Sequence, residues 1–190
     1  MPQRIASARA TNPVKGENNL PYRMLITLQV IDLHTNEVFS LLSYFRQASM
    51  ALYKLNITLP LRTTREKAAE LRRVVYDEIL QPLEEYLQAE YAKVNLLYKE
   101  CSSQKPVASF TKPFKVSVEL YHPDAWRLLE LLAGLDQMYR KLIDLWFAQQ
   151  IEDGAYVEMV TNCRHSLVAA MKRIDSLVYQ AVIVNSPNPK

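Results

Sequence analysis

Phe114-Lys115-Val116-Ser117-Val118-Glu119-Leu120 decides how this chain is read. Large apolar and polar side chains alternate along it without a break. In a strand, that puts Phe114, Val116, Val118 and Leu120 on one face and Lys115, Ser117 and Glu119 on the other. A strand this short needs a neighbour for its backbone donors and acceptors. One other segment has the same period: Tyr22-Arg23-Met24-Leu25-Ile26-Thr27-Leu28-Gln29-Val30-Ile31. Met24, Ile26, Leu28 and Val30 are expected to form its dry face, with Arg23, Leu25, Thr27, Gln29 and Ile31 opposite. Two strands predict an isolated two-stranded ribbon, paired within one chain or between two.

The chain on either side is helical by pattern. After Leu120, His122-Pro123-Asp124 supplies helix-start chemistry. Trp126, Leu128, Leu129, Leu132, Leu135, Tyr139, Leu142 and Leu145 then mark a helix to about 151. Asp153-Gly154 punctuates, and a last helix runs to about 183 through Val157, Val160, Leu167, Ala170, Ile174, Leu177 and Val178. After the first strand, Thr35 is the expected N-cap of a helix over about 36–56. A long helix over about 64–103 follows, opened by a capping box of Thr63 and Glu66. Pro82 lies inside that helix, and its missing amide proton predicts a kink or break. A linker begins at Cys101-Ser102-Ser103-Gln104-Lys105-Pro106.

The organisation is therefore strand–helix–helix, linker, strand–helix–helix, a repeat of pattern only. We expect a mostly α-helical protein with a short two-stranded antiparallel β-ribbon, ribbon-helix-helix-like. A basic, disordered arm (1–20) precedes a single helical domain (21–184, in units 21–104 and 113–184). A disordered tail (185–190) ends the chain.

Composition narrows the function. The 190 residues carry 23 Lys+Arg against 20 Asp+Glu and are 49% hydrophobic, which is ordinary globular composition. Gly16, Gly134 and Gly154 are the only glycines, too far apart for a Walker loop, a dinucleotide fingerprint or a nucleophile elbow. Cys101 and Cys163 form no Cys-x-x-Cys pair, and His34, His122 and His165 are scattered. Hence no catalytic residues, no metal and no cofactor are expected, and the chain is read as a non-enzyme. No apolar run approaches the roughly 20 residues that span a bilayer. The first residues lack a hydrophobic core of the signal-peptide kind, so a cytoplasmic protein without membrane contact is expected.

A two-stranded ribbon fits the major groove of B-DNA, where alternate side chains reach base edges. Arg23 and Lys115 can donate to guanine, Gln29 can pair with adenine, and Thr27 and Ser117 can do either. These five are the candidate base-reading residues. Arg62, Thr63, Thr64, Arg65 and Lys67 cluster at a helix start, where free amides and the helix dipole favour a phosphate. They are the candidate phosphate contacts. The second unit does not repeat this feature, since Glu152, Asp153 and Glu158 surround its corresponding helix start.

The stretch Val116-Ser117-Val118-Glu119-Leu120-Tyr121-His122-Pro123-Asp124-Ala125-Trp126-Arg127-Leu128-Leu129, with Asp136 and Trp146 beyond it, resembles a family carried by integrating conjugative elements and large conjugative plasmids. That family includes the transcriptional activator AcaB. The resemblance spans most of residues 22–183. It implies a ribbon-helix-helix DNA-binding fold and a regulator, an activator of conjugation genes, acting on double-stranded promoter DNA, with RNA polymerase as a further contact. Long helices rich in Leu and Tyr predict a homodimer. The alternative is a non-enzymatic helical scaffold or assembly protein of a conjugative element that does not touch DNA.

Overall fold

The computed structural model describes residues 27–101 and 113–184. The expected arm, linker and tail, with Arg23, lie outside the described residues. Strand β1 (Thr27–Leu33) pairs antiparallel with β2 (Phe114–Leu120), Thr27 opposite Leu120 and Leu33 opposite Phe114. The two alternating segments thus form one ribbon within a single chain.

The phase of β1 is the reverse of the expected one. Directly opposed residues share a face, so Gln29 lies beside Val118 and Ile31 beside Val116. Val118, Leu120 and Leu33 are buried, which makes Thr27, Gln29, Ile31 and Leu33 the set on the helix side. Leu28, Val30 and Asp32 face outward. The cause is Leu33, fully buried and two residues beyond the window that set the expectation. Once Leu33 is fixed in the core, a period of two determines every other side chain of the strand.

Short helix α1 (Asn36–Phe39) leads into α2 (Leu42–Tyr53). The helical path continues beyond 56 through a π turn (Lys54–Thr58) and a 3₁₀ turn (Leu59–Leu61) that holds Pro60 near its start. Then come α3 (Arg65–Val75), a second π turn (Tyr76–Leu80) and α4 (Gln81–Glu100). The disturbance expected from Pro82 is this π turn. Proline offers no amide proton and its ring crowds the carbonyl one turn back, so a wider turn immediately before it absorbs the misfit. Helices α5 (Ala125–Phe147) and α6 (Asp153–Val184) complete the chain.

Two expected caps differ. The N-cap of α3 is Thr64, whose hydroxyl accepts the Lys67 amide at 3.4 Å, and Thr63 stands one residue before it. Thr35 has extended N-cap geometry, but its hydroxyl donates to Asp136 and caps nothing.

Packing joins both halves of the sequence. Helix α2 lies against α6 and α5, and α4 against α5 and α6. One buried cluster runs from Leu33, Phe45 and Leu52 through Leu80 and Leu87 to Leu128, Leu132, Leu142, Leu167 and Ile174. Tyr139 of α5, almost wholly enclosed, satisfies its hydroxyl by donating to the Val160 carbonyl of α6 at 2.8 Å. Burial pushes its phenol well above the ordinary tyrosine range. Among the described residues no helix is long and apolar enough to cross a membrane.

Candidate nucleic-acid interface

The outer face of the ribbon consists of three opposed pairs: Leu28 with Glu119, Val30 with Ser117, and Asp32 with Lys115. Leu28 and Val30 are 62% and 55% exposed. At one end, Glu119 accepts from the Tyr121 hydroxyl and lies 3.6 Å from the Arg46 guanidinium of α2. Arg46 is largely in water, so that ion pair adds little to stability. It does place a cation at the ribbon's edge.

This geometry sorts the five base-reading candidates. Lys115 and Ser117 point outward from β2, as the alternation implied. Thr27 and Gln29 lie on the opposite, helix-facing side, because β1 has the reversed phase. Gln29 donates to the Val30 carbonyl at 3.3 Å. Arg23 is outside the described residues. Leu28, Val30, Asp32 and Arg46 are outer-face residues that the sequence reading missed. For the three strand residues the signal was Leu33, whose inclusion inverts the pattern. For Arg46 it was the buried trio Phe45, Ala48 and Ser49, which leaves positions 46 and 47 on the wet side of α2.

The ribbon is fastened to the helices by one buried carboxylate. Asp136, in the middle of α5 and 2% exposed, accepts from the His34 and Thr35 amides at 2.9–3.0 Å. It also accepts from the Thr35 hydroxyl at 2.8 Å and lies 2.9 Å from His34 Nδ1. A charge is tolerated there because donors surround it. At the other end of the ribbon, Ser49 of α2 accepts the Tyr121 amide at 3.3 Å. The ribbon is therefore hydrogen-bonded to α5 at one end and to α2 at the other.

The phosphate candidates sit where α2 gives way to α3. Arg62, Thr64, Arg65 and Lys67 are exposed and Thr63 is half-buried. A polar network ties this hairpin to the start of α5. Asn56, in the first π turn, donates to the Tyr76 hydroxyl at 2.8 Å. Tyr76, at the start of the second, donates to Asp124. Burial, with the Asp124 carboxylate adding to it, pushes the Tyr76 phenol well above its ordinary value, so it stays a donor. Arg127 of α5 then makes a two-pronged contact with Glu84 of α4 at 2.7 and 2.8 Å. Tyr76→Phe is expected to lower unfolding free energy by about 1–3 kcal/mol, because Asn56 and Asp124 lose their shared partner. Urea denaturation measures it, and a loss inside experimental error would mean that the hydroxyl bridges nothing of consequence.

No family model matches this chain, and no curated protein matches it. Among solved structures, the crystal structure of AcaB from uropathogenic E. coli aligns with a TM-score of 0.75. The fold is similar to that of AcaB. The match covers 85% of this chain and 83% of AcaB, at 16% sequence identity. At that identity the backbone course is shared, while side-chain roles must be argued from this chain's own residues.

Proposed function

We propose that this protein is a sequence-specific DNA-binding transcriptional regulator of the ribbon-helix-helix type. It reads the major groove with the outer face of the β1–β2 ribbon and activates conjugative transfer genes. The observation that carries this is the AcaB-like fold, with a ribbon that is fastened to α5 through Asp136 and whose outer face is exposed among the described residues. The resemblance of residues 116–129 to the same family supports it. Lys115 and Ser117 are the base-reading residues that the outward face retains. Arg62, Thr63, Thr64, Arg65 and Lys67 are the phosphate contacts, since cations and free amides at the α3 start suit an anion. The protein acts as a homodimer at a promoter, its two ribbons entering successive major grooves about 34–36 Å apart, and activation runs through RNA polymerase. A helical scaffold of the conjugation machinery without DNA contact is the second reading, and the exposure of Leu28 and Val30 is the observation in its favour.

A salt titration of DNA affinity separates the two. Arg65→Ala is expected to weaken binding to cognate and scrambled duplexes alike and to reduce the salt slope by about one unit, as for one lost phosphate contact. Lys115→Ala is expected to cost about 1–3 kcal/mol on the cognate duplex and much less on the scrambled one. Absence of binding by the wild type to promoter DNA of its own element would eliminate the regulator.

A further inference from the structure

The regulator reading leaves one feature without a role: two branched aliphatic side chains, Leu28 and Val30, project into solvent from the very face that is to meet the bases. Resting on that reading, we propose that Leu28 and Val30 read thymine C5-methyl groups, so that the protein prefers sites carrying thymines opposite the β1 side of its ribbon. The major groove offers one apolar feature among its donors and acceptors, the thymine methyl. Leu28 and Val30 lie two residues apart on one strand, so their side chains leave the same face about 7 Å from each other. Lys115 and Ser117 stand on that face one strand away, about 5 Å across, available for neighbouring polar edges. Asp32 and Glu119 can accept from the amino groups of adenine or cytosine beside them. The face thus mixes apolar and polar probes in the way a mixed base-edge surface requires.

Covering by a second copy of this chain is the rival explanation for exposed aliphatics, and size argues against it. A ribbon of seven residue pairs presents a face about 23 Å long and about 10 Å wide. Its footprint of roughly 200 Å² per copy falls far short of the ~800 Å² that each partner buries in a stable interface. The same ribbon is narrower than the ~12 Å major groove.

The test uses a duplex selected by the wild-type protein from a random-sequence pool and resynthesised with deoxyuridine replacing thymidine, a change that removes only the methyl groups. The wild type is expected to bind the uracil duplex about fourfold more weakly for each methyl contacted, the value of one buried methyl-sized group. Leu28→Ser and Val30→Ser each remove one such contact. Each is expected to show a smaller penalty, and the double variant is expected to bind the two duplexes equally. Both positions are exposed, and unchanged thermal melting of the variants verifies that the fold is intact. Equal binding of both duplexes by the wild type overturns methyl reading while leaving the regulator in place. Failure to select any duplex overturns both together. Equal binding combined with a dimer that dissociates in Val30→Ser, seen by light scattering, assigns the face to a second copy and overturns the proposal.

Discussion

Asp136→Ala is expected to destabilise the protein by about 3–5 kcal/mol in chemical denaturation, the range seen when one partner of a buried charged network is removed. The carboxylate is enclosed, and the buried Thr35 amide and hydroxyl cannot turn to water when it disappears, while the His34 ring is partly exposed. Two backbone amides, the Thr35 hydroxyl and the His34 ring would be left around a small void. Each unsatisfied buried donor costs about 1–3 kcal/mol, with relaxation recovering part of the total. Asp136→Asn retains one acceptor oxygen and places an amino group against donors, so an intermediate loss is expected. Because these bonds hold the exit of β1 against α5, the near-ultraviolet signal should fall before global unfolding. A loss under 1 kcal/mol for Asp136→Ala would show that the carboxylate does not fasten the ribbon.

The second large effect lies at the end of the same strand. Leu33→Ala is expected to cost about 2–5 kcal/mol, because a fully enclosed leucine leaves both a transfer loss and a residual cavity. Leu28→Ala, five residues earlier on the outward face, is expected to change stability by no more than about 0.5 kcal/mol. The contrast tests the phase of β1 directly: in the phase expected from the sequence, with Leu28 inward and Leu33 outward, Leu28 would be the costly position. Paired urea titrations measure both, and comparable losses at the two positions would overturn the register.

Much of the architecture was legible because it follows from periodicity. The alternation of residues 114–120 located β2, and long apolar stripes located α5 and α6 to within a few residues. A break at Pro82 and a threonine cap at Thr63 followed from backbone chemistry, although proline's effect emerged as a π turn upstream and the cap is Thr64, one residue on. What was not legible was the facing of β1. Leu25, Leu28, Val30 and Ile31 place apolar groups on both faces, so composition could not choose between them. The choice is made by a contact over a hundred residues away, where Asp136 captures the amides of His34 and Thr35 and pins Leu33 in the core. Gln29 and Thr27 accordingly left the outer face of the ribbon, while Leu28, Val30 and Asp32 entered it. The cations at the α3 start were visible as composition. Their placement beyond a hairpin braced by Asn56, Tyr76 and Asp124 was not, since those three residues meet only in the folded chain.

The ribbon joins residues that are roughly 80 to 90 positions apart along the chain. On a ribosome adding about 5–20 residues per second, β1 is therefore made about 4–20 seconds before its partner exists. During that interval its backbone hydrogen-bonding groups are open and Leu33 has no core to enter, the condition in which strands join neighbouring chains. Local helices form in microseconds and can gather early, but closing so long a loop places the ribbon among the last parts to assemble. Nascent chains cannot complete the ribbon before translation passes Leu120, and until then β1 is an open strand edge.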